Sequence, residues 1–324
     1  MIVYRPFEMH THTLHSDGRF TLEQLTAAAK AYGYEGIALT DHNTMSGFDG
    51  LPEVPVVNGI PVIRGIEWTT FFGHILVLYP ERFVDWRRAE PDTIDCYFRE
   101  IRAADGVIGI AHPFEVGSPL CTGCHFDYNV RDWNLVDYIE VWSKENPTRR
   151  FETPLALAMW TDLLNRGYRI AVTEGRDWHW EKEKKHAAAT WLGLEDGIVS
   201  PKTVRAAIRG GRTYLSCGPR MDLTVRQDGG SFTMGDTLQP GPFRFDLTLD
   251  RTDRQQAWAE FGIIPRELRA VMNGRTVYST DCMDGDRFDA TLTAEPGWFR
   301  FELWGDALSD PARQLVLTSP FYCR

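Results

Sequence analysis

Over its first 220 residues the chain alternates short apolar runs with stretches of helical pattern, and polar groups punctuate the ends of the runs. Gly36-Ile37-Ala38-Leu39-Thr40, Val62–Ile66, His74–Leu78, Val107–Ala111, Val136–Trp142 and Arg169–Thr173 read as buried strands. Thr21-Leu22-Glu23-Gln24 has the form of a capping box opening an Ala-rich helix that stops at Gly33. Two further helices are expected near 92–104 and 152–166. Such alternation implies a parallel sheet or barrel. The pattern changes near Gly218-Pro219. Beyond it Phe243, Phe245, Leu247 and Leu249 alternate with polar residues, and Asn273-Gly274 marks a hairpin. The expected division is 1–219, an α/β unit, and 220–324, an antiparallel β-sandwich.

The polar punctuation is rich in metal ligands. His10-Thr11-His12 places two imidazoles at i and i+2, on one face of an extended strand. Asp17 follows in a turn. Thr40-Asp41-His42 ends one strand, Gly65-Ile66-Glu67 the next and Ala111-His112-Pro113 another; Asp177-Trp178-His179 follows a later strand. His74 opens its run and needs a loop to join the others. In a parallel barrel the C-terminal strand ends are where active sites form. Imidazole and carboxylate without thiolate suit Mn, Zn or Fe. Six histidines and three carboxylates exceed one ion's needs, so two or three ions are expected, with one carboxylate bridging. Their surplus positive charge would draw an anionic substrate.

These motifs resemble those of the PHP (polymerase and histidinol phosphatase) superfamily over roughly residues 8–180. Gly211–Ser216, Gly218-Pro219 and Thr318–Tyr322 further resemble the carbaryl-hydrolase-like (CehA/McbA) metallohydrolases. The resemblance implies a distorted (βα)7 TIM-like barrel of the PHP type. It also implies one metal on His10, His12, Glu67 and Asp177, a second on Glu67, His74 and His112, and a third on Asp17, His42 and His179. The expected function is phosphoester hydrolysis by a hydroxide held between metal ions. An ester, carbamate or amide hydrolase and a non-catalytic metal-stabilised module are the alternatives.

Several residues have two readings. His15 is an alternative to Asp17 as ligand. Asp41 either orients a metal-bound imidazole or caps a turn. Arg19, Lys144, Arg149 and Arg176 are candidate phosphate contacts, and Arg176, beside Asp177, is the one favoured. Glu174 and Glu181 are acidic neighbours with which Arg176 would pair if it turned away. Cys121-Thr122-Gly123-Cys124-His125 matches a haem-attachment pattern, but a glycine-rich loop at the barrel mouth is the preferred reading over haem, a fourth zinc or a redox pair. Asp281, Asp284, Asp286 and Asp289 lack EF-hand spacing and read as an acidic turn.

Composition sets the outer bounds. The 324 residues are 43% hydrophobic and 25% charged, with a net charge of −10. That argues against disorder and against a broad surface for nucleic acid or anionic membrane; a small nucleotide is compatible. No run reaches the ~18 apolar residues of a membrane span. The start lacks the pattern of a secretory signal, so a cytoplasmic protein with six reduced cysteines is expected. The expected partner is a small phosphate ester, and self-association into a homo-oligomer is compatible with the reading.

Overall fold

Ten residues from Ile2 to Thr11 form β1, whose last six are all buried, and the rest of the α/β half is laid out from this strand. The computed structural model describes residues 1–117, 124–180, 185–283 and 285–324. Cys121, Thr122, Gly123, Glu181 and Asp284 therefore lie outside the described residues.

Thr21 caps α1 (Leu22–Ala31), and the capping box is formed on both sides. The chain returns through Gly33, at φ +73°, to β2 (Gly36–Leu39), parallel to β1. Next come β3 (Ile60–Thr70), β4 (Gly73–Leu78), α2 (Ile94–Ala103), β5 (Val107–Ile110) and β6 (Tyr138–Ser143). They are followed by α3 (Glu152–Asn165), β7 (Ala171–Gly175), β8 (Ala189–Glu195), α4 (Pro201–Arg209) and β9 (Thr213–Ser216). The sheet order is β9-β8-β1-β2-β3-β4-β5-β6-β7. Pairings β1/β2/β3 and β5/β6/β7 are parallel. Strand β4 is antiparallel to both neighbours. The regular strand–helix repeat of a (βα)7 barrel is thus interrupted: β3 and β4 form a tight hairpin with no helix between them. Curvature brings the segment after β7 back to β1, where His12 N–H donates to Trp178 O and Trp178 N–H to His10 O, both at 3.0 Å.

The C-terminal strands are β10 (Arg220–Gln227), β11 (Gly241–Asp250), β12 (Ile264–Met272), β13 (Arg275–Asp281), β14 (Arg287–Ala294), β15 (Gly297–Ala307), β16 (Asp310–Thr318) and β17 (Phe321–Cys323). Strands β10, β11 and β14 make one antiparallel sheet. Strands β13, β12, β15 and β16 make another, and Asn273-Gly274 turns between β12 and β13 with both φ positive. The alternation seen in β11 aims Phe243 at Phe299 (4.5 Å between ring centres) and Phe245 at Phe301 (4.9 Å), so the sheets share an aromatic core. Strand β16 pairs with β9, Tyr214 opposite Thr318, and the second half is hydrogen-bonded into the sheet of the first.

Candidate metal centre

Three backbone junctions assemble the site. The β1–Trp178 bonds set His10 and His12 beside Asp177 and His179. Glu67 N–H donates to Thr40 O (3.2 Å) and Asn43 N–H to Glu67 O (2.9 Å), placing His42 against Glu67. The β3–β4 hairpin puts His74 opposite Thr69, and Ala111 N–H donates to His74 O (3.2 Å), so His112 follows directly. The hairpin is the loop that His74 needed.

Glu67, wholly buried, is the hub. Its Oε2 lies 3.2 Å from His10 Nε2, 3.4 Å from His12 Nε2 and 2.8 Å from His42 Nδ1. Its Oε1 lies 2.9 Å from His74 Nδ1 and 3.2 Å from His112 Nε2. Asp177 Oδ1 is 2.9 Å from His12 Nε2 and 3.5 Å from His10 Nε2. Asp17 Oδ1 is 3.0 Å from His179 Nε2 and 3.4 Å from His42 Nε2. The candidate ligand atoms fall into three groups: His10, His12, Glu67 and Asp177; Glu67, His74 and His112; His12, Asp17, His42 and His179. Within each group they lie within 4.8 Å of one another. All nine residues singled out in the sequence lie in these groups, and His15 does not. Its Nδ1 is 2.9 Å from Ser46 Oγ instead.

The residues present fit divalent ions. His10 Nε2, His12 Nε2, Glu67 Oε2 and Asp177 Oδ1 are buried and make no hydrogen bond, although they converge. Buried polar groups are otherwise almost always satisfied. Ligand atoms about 2.0–2.2 Å from one ion lie about 3–3.5 Å from each other, the spacing found here. His112 and Asp177 both adopt positive φ, +24° and +50°.

The charges are mutually adjusted. Burial opposes ionisation of Glu67, yet His10, His74 and His42 outweigh it and hold the carboxyl well below its ordinary range. Burial likewise opposes a charged His10, but Glu67, Glu140 and Asp177 raise its pKa. At His12 burial wins, and its pKa falls to about 4. The cluster is closed at one end and open at the other: the side chains of His10, His12 and Glu67 are fully buried, whereas that of Asp17 is 65% exposed.

Other residues occupy roles that the sequence did not single out. Glu140, inside the apolar run of β6, lies 3.2 Å from His10 Nδ1 and accepts His112 N–H at 2.9 Å. With Nδ1–H donating to Glu140, His10 Nε2 is left to face the cluster. Gly175 permits this approach, because a Cβ there would collide with Glu140 Oε1 and His10 Cβ. Asp41 accepts from Thr13 N–H, Thr13 Oγ1 and Ser16 Oγ, each at 2.7 Å; of its two readings, the turn-holding one describes these contacts.

Arg176 is buried beneath the cluster. Its guanidinium stacks on Trp178 (3.9 Å) and Tyr32 (4.5 Å) and lies 3.8 Å from Glu145. These contacts hold its guanidinium inside the protein. Arg149 pairs with Asp310, and Arg19 lies over Trp180 at 5.1 Å. Lys144 donates to Asp177 Oδ2. Cys96, Cys217, Cys282 and Cys323 are free thiols, and among the described residues no helix is long and apolar enough to cross a membrane.

Residues 8–138 match the family model of the PHP domain, which supports placing the chain in the PHP superfamily. It is 34% identical over 64 residues to phosphoribosyl 1,2-cyclic phosphate 1,2-diphosphodiesterase of Eggerthella lenta, covering 20% of this chain and 24% of that protein. It is 31% identical over 83 residues to the PolC-type DNA polymerase III of Streptococcus mutans, covering 26% of this chain and 6% of that protein. The chain thus spans a small part of these relatives. In fold it resembles a two-domain protein from Bacteroides vulgatus containing a predicted PHP-like metal-dependent phosphoesterase. There the TM-score is 0.51 at 15% identity, covering 98% of this chain and 95% of the other.

Proposed function

We propose that the protein is a metal-dependent hydrolase acting on a small phosphate ester. One observation carries this reading: four buried, hydrogen-bond-less N and O atoms converge, one of them on the Glu67 carboxylate, which His42, His74 and His112 also face. His10, His12, Glu67 and Asp177 would hold one ion, Glu67, His74 and His112 a second, and Asp17, His42 and His179 a third. Two or three Mn, Zn or Fe ions would supply Lewis acidity and lower the pKa of water. The protein's own part is to fix their separation through Glu67, orient His10 through Glu140, and admit substrate at the Asp17 end. The phosphodiesterase relative and the PHP match support a phosphoester as substrate.

The finer readings are proposals of the same kind: a barrel of the PHP type closed at Trp178, a division near residue 219, the carbaryl-hydrolase-like subgroup, a cytoplasmic location, and self-association. A screen of phosphomonoesters, phosphodiesters and carboxylesters, metal-loaded and chelated, tests the function. Metal-dependent turnover of a phosphoester is expected. Turnover of carboxylesters or carbamates alone would replace this reading with the carbonyl one. No turnover of any class would leave a metal-stabilised module.

A further inference from the structure

Lys144 is the first residue after β6, at φ +64°, with its backbone N–H donating to Gly175 O at 3.1 Å. This junction with β7 brings its ammonium to Asp177, whose carboxylate it shares with the candidate metal groups. Asp177 Oδ1 faces His10 and His12, and Oδ2 takes Lys144. Lys144 Nζ therefore stands one carboxylate width from the ligand atoms. Among the described residues it is the only Lys or Arg paired with any of the nine candidate ligands.

Two features separate it from a structural ion pair. An ammonium has three donors, and among the described residues Asp177 is its one side-chain partner. The side chain is also 24% exposed, so solvent and a ligand can reach it. Of the other cations near the cluster, Arg19 lies over Trp180 at 5.1 Å and pairs with none of the candidate ligand side chains among the described residues, and two more are held by other groups. Arg176 is stacked between two rings, and Arg150 is held by Glu115 (3.1 Å) and Glu152 (2.8 Å).

We infer that Lys144 is the residue that recognises the substrate's anionic group, donating to a phosphoryl oxygen presented to the cluster while remaining bonded to Asp177. It would select a phosphoester over a neutral ester of the same shape, since a carbonyl substrate brings no negative oxygen to the ammonium. The inference rests on the phosphoester reading for its substrate class. It gives Lys144 the role that the sequence favoured for Arg176.

The test compares wild type, Lys144→Met and Lys144→Arg, each loaded with Mn. Metal content is measured by elemental analysis, binding of inorganic phosphate by calorimetry, and KM and kcat on one phosphomonoester and one neutral carboxylester. Lys144→Met is expected to keep its metal and to bind phosphate about ten- to a hundredfold more weakly, as for loss of one charge-assisted hydrogen bond. KM for the phosphoester should rise by a similar factor, KM for the neutral ester should stay within twofold, and Lys144→Arg should recover most of the phosphate affinity. Phosphate affinity within twofold of wild type, with metal unchanged, overturns the inference and leaves the proposed function standing. Loss of metal in both variants also overturns it, making Lys144 a positioning residue for Asp177. If wild type hydrolyses no phosphoester, the proposed function fails, and the phosphate-binding difference still decides whether Lys144 recognises an anion.

Discussion

Two buried charge clusters lie one layer apart in this protein and behave oppositely. The upper one is built on Glu67. The lower one contains Glu8, two residues before His10 on the same face of β1, with Glu174, Arg176 and Arg254, all at most 4% exposed. Glu8 and Glu67 are the same residue type at the same zero exposure. Yet burial pushes the Glu8 carboxyl up to about 7, against the pull of Arg176, while three histidines hold Glu67 well down. Glu174 is raised too, by burial and by Glu8 beside it.

The arrangement of donors explains the contrast. In the lower cluster Glu8 Oε1 accepts His10 N–H (3.1 Å) and Arg176 N–H (2.8 Å), while the guanidinium groups of Arg176 and Arg254 lie over aromatic rings. That cluster ties β1 to the segment after β7. In the upper cluster imidazole nitrogens and carboxylate oxygens converge, and of the described residues no arginine stands among them. Burying carboxylates, even ones with oxygens left without a hydrogen bond such as Glu8 Oε2 and both of Glu174, is therefore not what marks a metal centre; imidazole and carboxylate atoms converging within 4.8 Å of one another are.

The largest expected effect separates the ends of the upper cluster. Glu67→Gln should reduce turnover to background, because Glu67 is shared by two candidate metal groups. His179→Ala, which touches only the open group, should retain measurable turnover. Equal residual rates at unchanged metal content would break the assignment of Glu67 as the bridge.

Next is Arg176→Met. Removing one partner from a buried charged cluster costs about 3–5 kcal/mol. Denaturant unfolding should show that loss, with KM for a phosphoester within twofold of wild type. A tenfold rise in KM with stability intact would return Arg176 to the substrate.

Gly175→Ala and Glu140→Gln probe the support of His10. Each is expected to weaken metal binding by roughly ten- to a hundredfold, the usual size for a group that orients a ligand. Titration with a competing chelator measures it, and unchanged affinity in both would remove Glu140 from the site's design.

The smallest effect is a pH slope. The folded state holds a proton on Glu8 up to about 7, whereas the unfolded chain releases it near 4.5. The stability this proton contributes is fully present below 4.5 and is lost as pH rises through 7. Glu8→Gln should flatten that part of the stability curve, as measured by denaturant unfolding between pH 4.5 and 8. An unchanged slope would show that Glu8 is not the group responsible.

The site was legible where chemistry falls at strand ends. Asp17, His42, His112, Asp177 and His179 each follow a strand, so topology alone could bring them together; Glu67, expected at a strand end, lies inside β3, which runs on to Thr70 to form the hairpin. Glu140 was hidden because it sits inside Tyr138-Ile139-Glu140-Val141-Trp142, which reads as an apolar strand. Lys144 did carry the strand-end signal, but a lysine there looks like an ordinary surface charge. Arg176 misled because adjacency to Asp177 in sequence does not give adjacency of side chains: its guanidinium lies over Trp178 and Tyr32, while the Asp177 carboxylate faces His10 and His12. In the fold, the α1 capping box and the Asn273-Gly274 hairpin were readable from local residues. The β3–β4 hairpin and the β9–β16 pairing were not, since they join segments with no local signal of partnership.

The central claim is that the upper cluster is a metal site and the lower one is not. Elemental analysis of wild type, Glu67→Gln and Glu8→Gln, each reconstituted with Mn, Fe or Zn and desalted, tests it most directly. Two or three ions per chain in wild type and in Glu8→Gln, with a marked loss in Glu67→Gln, is the predicted result. No retained metal in wild type, or equal retention in all three, would contradict it.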